Sequence, residues 1–365
     1  NKKGISAITK TATPSDWAAD FRKKINAARE LKAAMILFVD KDIATNLARY
    51  KHYLEAPTLS LKKDEEESKA AKASVLFISP ALADSLLKPN NTSLEKVLLK
   101  LNAGGKPKPF AVSSTVGAKL SRVATDVQSE NVLGYLKGTD LADELLVVSA
   151  HYDHIGVIDG EVYNGADDDG SGTVSVLELA EAFSQAAKEG KGPRRSILFL
   201  TVAGEEKGLL GSEYYSEHPV FPLEKTVTDL NIDMVGRVDE KHKDSANYVY
   251  VIGSDKLSST LHKINEEANT NHTKLNLDYT YNDPKDPNRF YYRSDHYNFA
   301  KHNIPIIFYF NGVHEDYHQK TDEIEKINFD AMAKRAQLVF YTAWEIANRN
   351  ERPAVDVKND FPADK

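Results

Sequence analysis

Cysteine is absent from the 365 residues of this chain, which excludes disulfide bonds and zinc sites built on cysteine. Any metal ion must therefore be held by histidine, aspartate or glutamate. Long apolar runs are also absent: no stretch approaches the roughly 20 apolar residues of a membrane-spanning helix, so we predict no membrane span. The formal net charge of −7 gives no electrostatic reason to expect nucleic acid as a partner.

Several segments are apolar without a break, which is typical of strands buried on both faces. The segment GTVSVLELAEAFSQAAKEGKG, which follows the first of them, places apolar residues three and four apart and so predicts a helix. The sequence therefore predicts an α/β fold with a mostly parallel, mixed central sheet flanked by helices. The predicted strands are residues 144–150, 195–203, 230–235, 247–254 and 304–310.

The chain is long enough for one large domain and a smaller module. We assign residues 1–120 to a small α/β or β-rich domain and residues 121–351 to the large domain. Residues 352–365 are assigned to a C-terminal tail. The loop NAGGKPKP at residues 102–109 is the best candidate for a hinge, because the pattern of strands and helices changes after it.

Polar residues follow each predicted strand at the edge where ligands bind in open α/β sheets. They comprise His151 to Asp153, the adjacent Glu205 and Glu206, Asp233, and residues 314–318 with a histidine at each end; residues 167–169, three aspartates, precede the helix. Each group alone is more typical of a turn, a cap or a hydrogen-bonded pair. Together they place several carboxylates at one edge, and their mutual repulsion favours bound cations.

Imidazole and carboxylate ligands together suit zinc better than magnesium or calcium, which prefer all-oxygen sites. With five candidate ligand groups, the simplest count is two zinc ions that share one bridging carboxylate. Paired ions of this kind typically hold a water molecule between them. From the residues alone, any of the three aspartates at 167–169 qualifies as the bridge.

The ordered motifs SAHYDHIG, NGADDDGSGT, AGEEKGLLGS, NIDMVGR, RSDHYNFA and DYHQKTDE resemble those of the di-zinc aminopeptidase family. This family of metallo-exopeptidases includes secreted bacterial aminopeptidases and glutamate carboxypeptidase II. The match covers about residues 131–348. The segments ILFVD and FISPALADSLL are similar to the protease-associated domain that many members contain, although a peptidase segment usually precedes it. We therefore expect that an N-terminal piece has been removed or that this variant does without it.

The resemblance assigns a role to each candidate residue. It implies that one zinc ion is held by His151 and Asp233, the other by Glu206 and His318, with Asp168 as the bridge. It further implies three catalytic roles: Glu205 as general base, Tyr317 as stabiliser of the oxyanion, and Asp153 as the carboxylate that orients His151. The implied reaction is removal of N-terminal residues from peptide substrates by a water held between the ions, in a secreted or periplasmic protein.

Three alternatives stay open on the same scaffold. Carboxypeptidases and glutaminyl cyclases resemble this family as well, and Arg289 and Arg293 are candidate groups for binding a substrate carboxylate. Degenerate members serve only as protein-binding modules. The sequence leaves the preferred side chain and the oligomeric state open.

Overall fold

The structure, a computed structural model, describes residues 5–6, 9–55, 57–62, 73–102, 109–119, 121 and 123–358. The chain forms two compact units, residues 1–58 with 62–125 and residues 59–61 with 126–365. Residues 103–108 of the predicted hinge and the last part of the predicted tail, residues 359–365, lie outside the described residues. The predicted domain boundaries stay a prediction.

The first unit contains a two-stranded parallel sheet, in which Met35 is paired with Ser74 and Val39 with Ile78. Phe38 and Phe77 lie on this sheet with their ring centroids 5.5 Å apart. This unit is of the α/β type, and its likeness to a protease-associated domain stays a prediction. Its elements are α1 (Asp16–Ala19), α2 (Phe21–Glu30), β1 (Met35–Val39), α3 (Ile43–Glu55), β2 (Ser74–Ile78), α4 (Pro80–Leu87) and α5 (Leu94–Asn102).

The second unit is built on a seven-stranded mixed sheet. Its strands are β3 (Val132–Leu136), β4 (Leu141–His151), β7 (Arg195–Val202), β8 (Thr226–Ile232), β9 (Tyr248–Ile252), β10 (Asn276–Asp278) and β11 (Ile306–Phe310). The order across the sheet is β10-β9-β11-β8-β4-β7-β3. Strands β11, β8, β4 and β7 run parallel, whereas β9 is antiparallel to β11 and β3 is antiparallel to β7. A small hairpin, β5 (Gly156–Ile158) with β6 (Glu161–Tyr163), follows β4.

Strands β7, β8 and β11 are buried along their whole length. The apolar sequences of β7 and β11 agree with this burial, whereas β8, TVTDLNI, is buried although four of its seven residues are polar. Helices cover both faces: α6 (Gly172–Lys188), α8 (Ser259–Ala268) and α10 (Phe329–Asn348) contribute to one core cluster, and α7 (Leu210–Glu217) and α9 (His296–Ala300) to another. Within β4, Leu146 and Val148 face the first cluster, while Leu145 and Val147 face the second. The predicted fold class is confirmed.

Arg335 links the long helix α10 to the backbone that follows β8. Its guanidinium is fully buried and donates hydrogen bonds to the carbonyl oxygens of Val235 and Arg237, both at 2.7 Å, and of Tyr248 at 2.8 Å. A buried guanidinium requires such partners because its desolvation is costly. Arg335 therefore fixes the backbone of the segment directly after Asp233.

No helix in the described ranges is both long enough and apolar enough to cross a bilayer.

Candidate metal centre

The carboxyl ends of β4, β7, β8 and β11 meet at one edge of the sheet because these strands are parallel. His151 is the last residue of β4, and Asp233 directly follows β8. Glu205 and Glu206 lie in the turn after β7, and His318 lies in the loop after β11. The structure therefore collects the residues that were predicted from separate motifs.

Asp168 lies between the two histidines. Its Oδ1 is 3.3 Å from His151 Nε2, and its Oδ2 is 3.2 Å from His318 Nε2. Donor atoms bonded to one tetrahedral zinc ion at about 2 Å lie roughly 3.3 Å from each other. The two oxygens of Asp168 are thus spaced to serve two neighbouring ions, one at each histidine.

The neighbouring aspartates hydrogen-bond to backbone N–H groups and to other side chains instead. Asp167 accepts hydrogen bonds from the backbone N–H of Gly236 at 2.6 Å and from Asn311 Nδ2 at 3.0 Å. Asp169 accepts hydrogen bonds from the backbone N–H groups of Gly172 at 2.9 Å and Met234 at 3.0 Å. Of the three adjacent carboxylates, Asp168 is therefore the one that faces both histidines.

Two contacts fix the backbone that carries Asp168. The Asp322 carboxylate accepts hydrogen bonds from the N–H of Asp167 at 3.0 Å and of Asp168 at 3.1 Å. Gly165 begins the turn with a φ of 64°, in the left-handed region that favours glycine. A Cβ at this position would lie 2.2 Å from the carbonyl oxygen of Asp168 and 2.4 Å from the ring of His154.

The remaining ligand candidates complete two groups. Asp233 Oδ1 lies 3.7 Å from His151 Nε2, and its Oδ2 accepts a hydrogen bond from Ser294 at 2.6 Å. Glu206 Oε2 lies 3.3 Å from His318 Nε2. One group therefore contains His151 and Asp233 and the other contains Glu206 and His318, with Asp168 between them.

The buried polar atoms of this site fit zinc. In the described part of the chain, His151 Nε2, Asp168 Oδ2 and Glu206 Oε1 are buried and have no hydrogen-bond partner. Buried polar atoms in native proteins are normally satisfied, and a bound ion is one of the groups that can satisfy them. The donors are imidazole nitrogens and carboxylate oxygens, the set that zinc accepts in catalytic sites.

The carboxylates of the site favour positive charge between them. Although burial lowers the pKa of His151, the carboxylates of Asp168 and Asp233 raise it well above its usual value. Burial also lowers the pKa of His318, yet Asp168 and Glu206 raise it to about 9. Without a cation, the carboxylates therefore hold protons on the imidazoles, which a bound ion would displace.

Glu205 and Glu206 leave the same turn in different directions. Their backbone N–H groups donate to the carboxylate of Asp153, at 3.0 Å and 3.3 Å respectively. Glu205 Oε2 is 4.0 Å from His151 Nε2, farther than the oxygens of Asp168 and Asp233. Burial raises the pKa of Glu205 well above its usual value, and the negative charge of Asp233 raises it further.

Asp153 makes a different contact from the one that the resemblance implied. His151 Nδ1 is 3.0 Å from the backbone carbonyl oxygen of Asp153 and 3.8 Å from its carboxylate. The carbonyl therefore fixes the ring of His151, leaving Nε2 directed at the site. The carboxylate of Asp153 instead fixes the turn that carries the two glutamates.

A cleft opens beside these residues. Its polar lining includes Asp168, Glu205, Asp233 and His318, and aromatic rings line it as well. Arg293 and Tyr317 also line the cleft, and Arg293 donates a hydrogen bond to the Tyr317 hydroxyl at 3.2 Å. The aromatic and apolar lining consists of Met234, Phe290, Phe308 and Phe310.

The part of the chain that matches a known protein family is the part that contains these motifs. The model of peptidase family M28 matches residues 131–343, which is more than half of the chain. The chain belongs to peptidase family M28. Members named as aminopeptidases are among its relatives, in agreement with the resemblance.

Two curated relatives illustrate the similarity to M28 members. Aminopeptidase YwaD of Bacillus subtilis is 27% identical over 237 residues, which cover 63% of this chain and 47% of that protein. A probable leucine aminopeptidase of Arthroderma benhamiae is 30% identical over 248 residues, which cover 65% of this chain and 63% of that protein. The chain thus spans about half to two thirds of the length of these relatives.

Solved structures agree with the M28 assignment. A zinc aminopeptidase from Bacillus subtilis superposes with a TM-score of 0.50 at 26% identity, over 62% of this chain and 52% of that one. An aminopeptidase from Aneurinibacillus sp. strain AM-1 gives a TM-score of 0.51 at 20% identity, over 94% of this chain and 69% of that one. The second likeness shows the fold alone.

Sequence reasoning missed a buried polar chain behind the M28 site. Ser149 Oγ lies 2.8 Å from Asp229 Oδ1 and 2.9 Å from Asn231 Oδ1. Asn231 donates to Ser294 at 2.9 Å, and Ser294 donates to Asp233. A hydroxyl has one proton, so Ser149 can donate to only one of its two neighbours. If Asp229 is protonated, its carboxyl donates to Ser149, and Ser149 then donates to Asn231. Burial raises the pKa of Asp229 well above its usual value, which favours this arrangement.

A second missed residue is His154, which lies against Glu206. It stands in the motif HYDHIG, three positions after His151, and a histidine so near a candidate ligand was the available signal. Its Nδ1 is 3.0 Å from Glu206 Oε1.

Proposed function

We propose that this chain is a zinc-dependent aminopeptidase that uses two zinc ions. The position of Asp168, with one carboxylate oxygen toward each histidine, is the observation that carries this proposal. His151, Asp168 and Asp233 would hold one ion, and Asp168, Glu206 and His318 the other. Membership of the M28 family and the names of its relatives support the same function.

The proposed reaction is hydrolysis of the peptide bond after an N-terminal residue. Bound zinc ions would polarise the scissile carbonyl and lower the pKa of water. Glu205 would accept the proton of the attacking water and deliver it to the leaving amine. Burial raises its pKa, which favours uptake of a proton from the attacking water.

Tyr317 is proposed to donate a hydrogen bond to the oxyanion that forms at the carbonyl carbon. Burial raises its pKa, and the nearby carboxylate of Asp168 raises it further, so the phenol keeps its proton. Arg293 donates to the phenol oxygen at 3.2 Å, which leaves the phenol proton free to face the cleft. A donor aimed at developing charge typically contributes about 3–4 kcal/mol to catalysis.

The aromatic lining of the cleft supports a preference for apolar N-terminal residues. Phe290, Phe308 and Phe310 are each less than a tenth exposed and line the cleft together with the polar residues. An apolar side chain placed against these rings would lose contact with water without leaving a polar group unpaired. We therefore expect leucine or phenylalanine at the N-terminus of good substrates and poor turnover of aspartate or lysine.

The test combines metal analysis with hydrolysis of aminoacyl-p-nitroanilides. We expect about two zinc ions per chain, release of p-nitroaniline, loss of activity on chelation and its return on addition of zinc. Peptides with an N-acetyl group serve as the control, because they lack the free amine that an aminopeptidase requires. Equal turnover of blocked and free peptides would contradict the proposal.

Arg293 supports a second candidate, a carboxypeptidase. It is a cation in the cleft lining that could pair with the carboxylate of a C-terminal residue. Arg289, the other arginine considered, stacks on Tyr292, with its guanidinium 4.7 Å from the ring centroid. Mass spectrometry of a peptide blocked at its N-terminus would decide, since release of its last residue favours the carboxypeptidase.

Secretion or a periplasmic location is proposed from the family resemblance. Western blotting of culture medium, periplasm and cell extract from the source organism would test it.

A further inference from the structure

His154 lies in the loop between β4 and the β5–β6 hairpin, at the second ligand group. Its side chain is 7% exposed. Nδ1 lies 3.0 Å from Glu206 Oε1 and 3.9 Å from Asp168 Oδ2. Donor atoms of these three residues all lie within 4.8 Å of one another, close enough to share one ion.

The ring of His154 is held in this position by packing. Gly165 passes so close that a Cβ there would lie 2.4 Å from the ring, so the backbone of Gly165 contacts one side of the imidazole. The ring of His318 lies edge-on at a centroid distance of 5.9 Å. Packing against Gly165 and His318 therefore sets the orientation of the imidazole toward Glu206.

Neither ring nitrogen of His154 has a hydrogen-bond partner among the described residues. The 3.0 Å contact with Glu206 lacks the alignment of a hydrogen bond, although the two atoms are close enough for one. A buried imidazole without hydrogen bonds is costly unless another group satisfies it. A shared cation satisfies both the nitrogen and the carboxylate oxygen, which an ordinary ion pair at this geometry does not.

We propose that His154 is a fourth protein ligand of the zinc ion held by Asp168, Glu206 and His318. This inference rests on the proposed function, because it assigns a ligand to a zinc ion of that site. The other ion has three protein ligands, His151, Asp168 and Asp233.

The two zinc positions would then differ in kind. Zinc sites with four protein ligands are typically structural and closed, whereas catalytic sites keep one position open. The ion at His154 would thus be retained more tightly, and the ion at His151 would exchange first and offer the open position.

Zinc affinity at each position tests the proposal. Metal-free protein is titrated with zinc in competition with a chromophoric chelator, and with cobalt while its visible absorption is recorded. For His154→Ala we expect the tighter affinity to fall by about 100-fold or more, because loss of a mere orienting partner already costs 10–100-fold. The affinity for the second, more weakly bound zinc ion should change little. X-ray absorption spectra of His154→Ala loaded with one equivalent of zinc should show one imidazole ligand fewer than those of the wild type.

A conservative variant and a control separate ligation from other effects. His154→Gln keeps a hydrogen-bond donor for Glu206 but supplies a poor zinc ligand, so it should behave like His154→Ala. His218→Ala removes an exposed histidine on the same domain and should bind zinc as the wild type does. Circular dichroism of the metal-free forms checks that each variant is folded.

Each other outcome overturns the inference. Wild-type affinity in both His154 variants would mean that His154 is not a ligand. Recovery in His154→Gln alone would mean that it acts through a hydrogen bond to Glu206. A wild type with two zinc ions and unchanged variants overturns this inference alone, whereas a wild type without zinc overturns the proposed function as well.

Discussion

Replacement of Glu205 by glutamine separates two interpretations of its position. The side chain belongs to a compact group with His151 and Asp233, in which donor atoms lie within 4.8 Å of one another. By that criterion Glu205 is a possible ligand. Its distance of 4.0 Å to His151 Nε2, against 3.3 Å for Asp168, instead suits a base beside the ions. Glutamine keeps the size of the side chain and removes its capacity to take a proton.

The two interpretations predict different losses. A general base contributes about 10²–10⁴ to turnover. At about 1.36 kcal/mol per factor of ten, this raises the barrier by roughly 2.7–5.4 kcal/mol. If Glu205 is the base, Glu205→Gln should show this loss in kcat and retain two zinc ions. If it is a ligand, zinc content should fall along with kcat.

Steady-state hydrolysis of leucine-p-nitroanilide and elemental analysis of the same preparations provide the measurement. Glu206→Gln is the matched comparison, since the adjacent carboxylate lies 3.3 Å from His318 and should lose zinc. Glu217→Gln, at an exposed position, controls for the change in net charge. Added zinc should restore part of the activity of Glu206→Gln and none of that of Glu205→Gln.

Two results would refute this reasoning. A kcat of Glu205→Gln near that of the wild type would exclude Glu205 as the base. Loss of one zinc ion from Glu205→Gln, with both ions kept in Glu206→Gln, would exchange the roles of the two glutamates.

Three further predictions concern the support of the site. Gly165→Ala places a Cβ 2.2 Å from a backbone oxygen of the site, so both the zinc content and the free energy of unfolding should fall. The control Gly190→Ala has open space around the added methyl group and should cost only about 1–2 kcal/mol of backbone strain, as measured by urea unfolding. Asp322→Ala leaves two buried N–H groups unpaired, at about 1–3 kcal/mol each in the same assay, and Asp322→Asn should cost less. Burial raises the pKa of Asp229, so its contribution to stability is complete below the unfolded value of about 3.9 and is lost as pH rises toward the folded pKa. Asp229→Asn keeps a donor without titrating, so its free energy of unfolding should fall less between pH 4 and pH 8; an unchanged pH slope would contradict this.

The partly exposed edge strands β3 and β10 were not predicted, whereas the other five strands of the sheet were, because those strands are largely buried on both faces. Their apolar runs leave no alternation that would favour an exposed face, and β7 lies within one residue of the predicted 195–203. Strand direction was harder to predict. The run at 247–254 is as apolar as the others, yet β9 pairs antiparallel with β11. The direction of a strand depends on the connection to its neighbour, and the pattern of apolar residues within the strand gives no information on that connection.

The supporting residues could not be predicted because their partners are far apart in sequence. Asp322 binds the backbone of Asp167, 155 positions away, and Ser149 meets Asp229, 80 positions away. Asp322 stands in the quoted motif DYHQKTDE, and nothing in its local sequence distinguishes it from a solvated acid. Only the fold brings these carboxylates against backbone N–H groups or hydroxyls, and a buried carboxylate is tolerated only with such partners.

The adjacent glutamates illustrate how one turn directs two side chains with different proposed roles. Gly204 has a φ of 73°, so the chain turns sharply between β7 and the pair. The carboxylate of Asp153 accepts both backbone N–H groups and holds the turn rigidly. With the backbone fixed at one point, successive side chains leave it in different directions: Glu206 toward His318, and Glu205 toward His151. A single anchored turn therefore sets both distances, and the loss of Asp153 should disturb both glutamates together.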